Sequence, residues 1–249
     1  MESNHLGEHL RQVARTHAHR TALAFAGQTL TYGELDEQVE RAAAYLGDAG
    51  IEAGDRVALL LPNSDAFVVM MHAAFRIGAA VVPLNPLYPP AELLYMLTDS
   101  GARAVIAPVQ VAAYAPMLQA QSPGIVIVAW GPMTDELPAG VVPYAEVIAP
   151  TDRKVAIIAR PVTDVAVILY TSGTTGRPKG VLLSHANLGW NAQVVGDYLS
   201  YGPNDTVVVA LPLFHVFSLT VCLNASIYRG ARMILLPNFS PKEVLSTIT

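Results

Sequence analysis

The apolar positions along this chain switch repeatedly between short continuous runs and stripes spaced three and four residues apart. Runs of Val, Ile, Leu and Ala bounded by Gly and Pro predict buried strands, and the striped segments predict helices. Leu6–Thr16 reads as a helix, 22–26 and Gln28–Thr31 as a hairpin around Gly27, and 32–50 as a long helix whose Leu35, Val39, Ala42, Ala43 and Leu46 share one face. Strands follow at 57–61, 80–84, 104–107 and 125–130, alternating with helices at 65–77, 91–100 and 112–119. The stretch 134–155 is rich in loop signals and reads as irregular. Strands at 165–170 and 180–184, a helix at 185–199, a strand at 206–210, an apolar helix at 216–228 and a strand at 231–236 complete the series. Pro241 opens a last helix that runs to the final residue with Val244, Leu245 and Ile248 uncovered, so the chain is expected to be truncated. The alternation is that of an α/β fold with layered sheets and helices.

Local chemistry sharpens several boundaries. Thr31 and Glu34 have capping-box spacing, Asn63–Ser64 can cap the helix after them, and Ser184 can cap the one starting at 185. The stretch 66–84 is long and apolar enough to suggest a membrane span, but His72, Arg76 and the Gly78–Pro83 break favour a buried helix running into a buried strand. The chain is 52% apolar and only 14% charged, so part of its surface is expected to meet a partner or a missing domain, or to drive self-association. A net charge of −5 gives no footprint for nucleic acid. The single cysteine, Cys222, excludes a disulfide framework and a Cys-based zinc site, and is expected in the core. The first ten residues lack the apolar stretch of a signal peptide, which makes the expected location cytoplasmic. His5, His9, His17 and His19 read as surface residues, and Asp99 and Asp164 show no partnered carboxylate.

One segment carries chemistry. Residues 169–181 read LYTSGTTGRPKGV, placing the hydroxyl pairs Thr171–Ser172 and Thr174–Thr175 around Gly173 and Gly176, with Lys179 three residues on. Lying between two predicted strands, this loop offers backbone N–H groups, hydroxyls and one ammonium to a shared point, as a polyphosphate requires. The spacing differs from the common P-loop, because Arg177 and Pro178 separate Gly176 from Lys179 and Gly180 follows it. A Gly/Thr-rich turn alone would be only a turn; the flanking strands, Lys179 and Gly180 make it specific.

This segment resembles the phosphate-binding signature of the adenylate-forming superfamily, which includes acyl-CoA synthetases, luciferases and peptide-synthetase adenylation domains. Residues 31–35 (TYGEL) and 76–85 (RIGAAVVPLN) resemble two further core motifs and read as structural. The resemblance covers essentially the whole chain and implies one N-terminal AMP-binding domain over 1–249, incomplete, with its nucleotide loop at 170–181 and no small C-terminal lid domain. It implies that Thr171, Ser172, Gly173, Thr174, Thr175, Gly176 and Lys179 face the phosphates of ATP while a carboxylate attacks the α-phosphorus. Mg²⁺ and CoA are the further cofactor and co-substrate implied, the Mg²⁺ ligand lying beyond this chain.

Residues 211–216 (LPLFHV) place Phe214 and His215 after a strand. A lone histidine beside an apolar helix reads as a core residue; the resemblance instead implies that Phe214 and His215 lie between the acyl pocket and the nucleotide. His215 would then orient and gate. The stretches 84–102, 184–188, 212–220 and 235–241 look most like fatty acyl-CoA synthetases, so the implied reaction is activation of a fatty acid to its adenylate and transfer to CoA. Two alternatives remain: an adenylating enzyme that passes its acyl group to a carrier protein, and a non-catalytic binding module that kept the fold.

Overall fold

The computed structural model describes residues 5–133, 136–171 and 177–248. In chain order the elements are α1 (Leu6–Thr16), β1 (Thr21–Phe25), β2 (Gln28–Thr31), α2 (Tyr32–Asp48), β3 (Arg56–Leu59), α3 (Asp65–Arg76), β4 (Ala80–Pro83), α4 (Pro90–Ser100) and β5 (Ala104–Pro108). Then come α5 (Val109–Ala112), α6 (Ala115–Gln121), β6 (Val126–Trp130), β7 (Val141–Pro143), α7 (Tyr144–Val147), β8 (Val165–Thr171), β9 (Lys179–Ser184) and α8 (His185–Tyr198). The last are β10 (Thr206–Val209), a π-helical segment (Ser218–Asn224), α9 (Ala225–Arg229), β11 (Arg232–Leu235) and α10 (Pro241–Ile248). The strands form a four-stranded sheet in the order β10-β11-β1-β2 and a seven-stranded sheet in the order β7-β6-β5-β3-β4-β8-β9. All pairings are parallel except β1–β2 and β8–β9. The expected layered α/β architecture is what the chain adopts.

The continuous apolar runs of the large sheet have a simple cause, because both of its faces are covered. Val57, Leu59, Val81, Ile106 and Val128 point into one core, shared with α2 and α3, whereas Ala58, Leu60, Val82, Val105 and Ile127 point into a second core under α4 and α6. Helix α3 touches β3 and β4 of the large sheet and β1 of the small one. Every residue from Ala66 to Arg76 is buried. A helix apolar all round belongs in an interior, and this one is the filling between two sheets. Its last residue, Arg76, is 2% exposed and donates to the Asp36 carboxylate of α2 at 2.8 Å. Among the described residues, no helix is long and apolar enough to cross a membrane.

Two of the expected caps form complete boxes. Thr31 accepts from Glu34 N while Glu34 returns to Thr31 N, and Ser184 and Asn187 repeat the arrangement on α8. Ser64 caps α3, but Asn63 does something else. Its side-chain NH₂ donates to the carbonyls of Val209, Leu211 and Leu236 at 3.0–3.2 Å, and its Oδ1 accepts from Leu213 N at 2.7 Å. The turn after β3 of the large sheet is thereby stitched to the chain leaving β10 and β11 of the small one.

Three expectations change. The stretch 134–155 contains β7 and α7, too short for either period to show in the sequence. The helix expected at 112–119 runs instead over Ala115–Gln121, separated from α5, because Pro116 has no N–H to offer the Ala112 carbonyl four residues back and so breaks the ladder between them. The helix expected at 216–228 starts at 216 as expected but winds as a π-helix over Ser218–Asn224, where the Ser218 hydroxyl donates to Leu211 O at 2.8 Å, before α9 continues it to Arg229. Cys222 is half-buried.

The histidine expectation is corrected as well. His19 is exposed and His17 half-buried, but His5 and His9 are 2% and 5% exposed, because α1 lies inward against α3 and α8. The His5 ring stacks on His185 at 3.9 Å between centroids, and His185 and His72 both meet the Phe75 ring edge-on. Leu6 N donates to Nδ1 of His185 at 3.4 Å. Burial pushes His72 and His185 down to about 3, with the neighbouring histidines adding to it, and lowers His5 too.

Two outcomes follow from this packing. Asn63→Ala is expected to destabilise the chain by about 3 kcal/mol, read from the urea midpoint, because the Leu236 carbonyl and the Leu213 N–H lose Asn63 as partner, while Val209 O keeps Leu236 N and Leu211 O keeps the Ser218 hydroxyl. Asn63→Asp is expected to do no better, since it turns a donor to three carbonyls into an anion; an unchanged midpoint in either variant would refute the stitch. For the histidines, the unfolded chain takes up protons below its ordinary pKa of 6.5 while the folded His72 and His185 do not. Their contribution is therefore intact above pH 6.5 and is lost as pH falls from there toward 3. From pH 7 to pH 5 the loss is expected to reach about 2 kcal/mol for each of the two. His72→Leu should flatten that slope, and an equally steep profile would contradict the assignment.

Candidate functional site

The candidate phosphate segment belongs to the antiparallel hairpin β8–β9 at one edge of the large sheet. The register sets Thr171 opposite Lys179 and Tyr170 opposite Gly180. Directly opposed residues hold their Cβ atoms about 5 Å apart on one face, so the structure brings the Thr171 hydroxyl and the Lys179 stem together. Both are exposed, and among the described residues Lys179 makes no ion pair. Ser172, Gly173, Thr174, Thr175 and Gly176 lie outside the described residues.

Gly180 has a local reason. A Cβ at that position would stand 3.0 Å from Ile168 Cγ2, 3.5 Å from Tyr170 Cζ and 3.6 Å from Tyr170 Oη. The Tyr170 ring therefore lies across the bare backbone of β9. Its hydroxyl donates to Asp99 Oδ2 of α4 at 2.6 Å and lies 3.2 Å from Met96 O. Burial, reinforced by the Asp99 carboxylate, raises the Tyr170 pKa well above that of a free phenol, so it stays a donor. On the other strand, Tyr95 Oη donates to Pro178 O at 3.4 Å, and the Arg177 guanidinium stands 5.6 Å from the Tyr95 ring centroid. Asp99 is thus not an idle carboxylate, and neither Tyr95 nor Tyr170 stood out in the sequence.

Phe214 and His215 come from the loop between β10 and the π-helical segment. Leu213 beneath them is fully buried and held by Asn63, which fixes the loop's base. Phe214 is half-buried and lines a cleft of about 380 Å³, with Pro62, Asn85, Leu87, Pro212 and Phe239 among its other walls. The cleft lies where the parallel strands of both sheets end, the position at which open α/β sheets take their ligands. His215, next to Phe214 in the chain, is exposed, so it is not the core residue that its apolar neighbours suggested. Its Nδ1 accepts from Phe217 N at 3.3 Å, leaving the neutral ring's proton on Nε2 as a donor. Among the described residues no hydrogen bond or ring contact joins Thr171 or Lys179 to Phe214 or His215; the two groups stand on separate elements. A larger surface groove of about 460 Å³, between α1 and residues 156–157, holds none of the residues singled out in the sequence. No group of three or more His, Cys, Asp or Glu suited to a metal occurs among the described residues.

Comparison with known proteins completes the description. The chain is 36% identical to a feruloyl-CoA synthase of Amycolatopsis sp over 100% of its own length and 47% of that protein's. It is 32% identical to a long-chain-fatty-acid–CoA ligase of Bacillus subtilis, covering 92% of this chain and 45% of that one. Its fold superposes on crystal structures of MatB from Rhodopseudomonas palustris, with a TM-score of 0.87 at 31% identity for the apo form and 0.84 at 30% for the ATP-bound form. Each superposition covers 98% of this chain and 47% of MatB. The chain therefore spans about half the length of the relatives it matches. Residues 10–249 match the family described as AMP-binding enzyme, and the chain belongs to that family.

Proposed function

We propose that this chain supplies the phosphate-holding and acyl-facing parts of an ATP-dependent acid–CoA ligase. In that reaction a carboxylate attacks the α-phosphorus of ATP, pyrophosphate leaves, and the acyl group of the adenylate then passes to the thiol of CoA. The observation that carries the reading is the hairpin register that sets Thr171 opposite Lys179, with Ser172 to Gly176 between them in the chain. Hydroxyl and backbone donors from 171–176 would hold the phosphates. The exposed Lys179 ammonium would offset the charge that gathers as pyrophosphate departs. A divalent cation such as Mg²⁺ would accompany the polyphosphate.

On the acyl side, the cleft beside Phe214 has mostly apolar walls and suits an apolar acid. A fatty acid is the reading we favour. An aryl acid fits the same walls, and the relatives include enzymes named for both kinds. His215 has little to do as a base, because a carboxylate is already ionised at neutral pH. Its Nε2–H would instead orient the carboxylate at the mouth of the cleft.

The test is carboxylate-dependent ATP–pyrophosphate exchange, run beside direct titration with ATP, over a panel of fatty and aryl acids. Lys179→Ala is expected to lower exchange by about 100-fold. His215→Ala is expected to raise the KM for the acid while leaving that for ATP nearly unchanged. Exchange undiminished by Lys179→Ala, or an unmodified chain that neither exchanges nor binds ATP, would sink the reading.

A further inference from the structure

Helix α1 buries one face and turns the other, with Glu8, Arg11, Gln12 and Arg15 at intervals of three and four, along the groove of about 460 Å³. The opposite wall is Ala156 and Ile157, in a segment that runs without turn or bend from 153 to 161. The groove shares no residue with the hairpin β8–β9 or with the cleft beside Phe214.

Both walls carry groups that the fold leaves unused. Arg41, Arg76, Arg153, Arg160 and Arg229 each reach a carboxylate. Arg11 and Arg15 make no ion pair or hydrogen bond among the described residues, although Glu8 stands one turn from Arg11. The facing segment is anchored on each side of the groove. Val155 N donates to Glu40 Oε1 at 3.4 Å, beside the Lys154–Glu40 ion pair, and Ile158 N donates to Arg76 O at 2.9 Å. Between those anchors, the N–H and C=O groups of Ala156 and Ile157 have no partner among the described residues. A polar helix face alone is only solvated; this one has a fixed strip of main chain, bare between two anchors, held opposite it.

The two walls suit the same guest. Bare main-chain donors and acceptors in an extended strip accept another extended chain alongside them. Side chains on one face of such a guest recur every second residue, about 6.6 Å apart. Residues four apart on a helix hold their Cβ atoms about 6 Å apart. A carboxylate at every second position therefore meets Arg11 and Arg15 in turn, and each guanidinium can grip one with two parallel bonds. Glu8, a turn before Arg11, meets the next position along and favours a basic side chain there. A lone phosphate would satisfy the arginines but leave the main-chain strip idle.

We propose that this groove docks an extended acidic peptide, with Asp or Glu at alternate positions facing Arg11 and Arg15 and a basic residue beyond them facing Glu8. The contact is small and open to solvent, so it belongs to the transient class and weakens as salt rises. It stands independently of the phosphate-holding reading of the hairpin.

The test uses the full chain and fluorescence anisotropy with labelled synthetic peptides. One alternates glutamate with valine and carries a lysine at each end. A second has the same composition with its glutamates adjacent, and a third replaces glutamate by glutamine. Inorganic phosphate and ATP serve as competitors, and amide hydrogen exchange is followed over 153–161. The alternating peptide is expected to bind at least about fivefold more tightly than the other two, and Arg11→Glu and Arg15→Glu should each weaken it by a similar factor. Exchange over 155–158 should slow when the peptide is bound, and the variants' melting temperatures should match that of the unmodified chain. Arg11→Gln and Arg15→Gln repeat the comparison without an added charge, in case a reversal disturbs the helix.

Equal binding of the alternating and adjacent-glutamate peptides would overturn the proposal, since charge alone would then explain the contact. So would binding undiminished in the arginine variants, exchange over 155–158 that does not slow, or no binding of any peptide. Full displacement by millimolar inorganic phosphate would make the groove a free-anion site and overturn the peptide reading as well.

Discussion

The architecture depends on one buried amide. Two sheets sandwiching a helix can slide or splay unless something polar and directional ties them, since apolar contact has no preferred register. Asn63 supplies the tie: one side chain reaches three carbonyls and one N–H at the ends of strands from the other sheet. Val209 O also accepts from Leu236 N and Leu211 O from the Ser218 hydroxyl, so the bonds that matter most are those to Leu236 O and Leu213 N, just past the strands, where an unpaired buried group would be costly. The same bonds set the base of the loop carrying Phe214 and His215. Sheet docking and the loop that carries Phe214 and His215 therefore share a single residue.

From that tie outward the structure divides into a rigid interior and an adjustable edge. The middle of the large sheet is covered on both faces, and α3 has no exposed side at all. The hairpin β8–β9 lies at the sheet's edge, with Val181 and Leu182 exposed at 43% and 61%. Thr171 and Lys179 thus sit on a peripheral element, joined to α4 through the bonds of Tyr170 to Asp99 and of Tyr95 to Pro178 O. Just beyond the far end of the same hairpin, α1 closes over His185, His72 and His5, whose burial favours the neutral ring.

Much of this could be read from residue order. The double-faced sheet announced itself as unbroken apolar runs, and α2 and α8 declared their starts through Thr31–Glu34 and Ser184. The candidate phosphate segment stood out because its glycines, hydroxyls and lysine are adjacent in sequence. Asn63 was legible only as a cap, since its partners lie 146 to 173 residues away and nothing local marks them. Tyr95, Asp99 and Tyr170 were hidden for the same reason. His5 and His9 were misjudged because polarity suggested a surface, whereas packing of α1 on α3 and α8 turned them inward. Residues 141–147 were missed because three-residue and four-residue elements do not last long enough to display a period.

The order of strands in the small sheet has a consequence for how the molecule is assembled. β1 pairs with β11 through Leu23 and Met233, so the partner of a strand near the start of the chain lies more than two hundred residues later. Until that pairing forms, β1 and β2 are a two-stranded ribbon, and a ribbon of that size is marginal alone. One side of α3 must meanwhile wait uncovered. Closing so long a loop is entropically slow and places the fold among those dominated by distant contacts. During synthesis, the most apolar helix of the protein is thus the last to find shelter, and it is the segment a chaperone would be expected to hold.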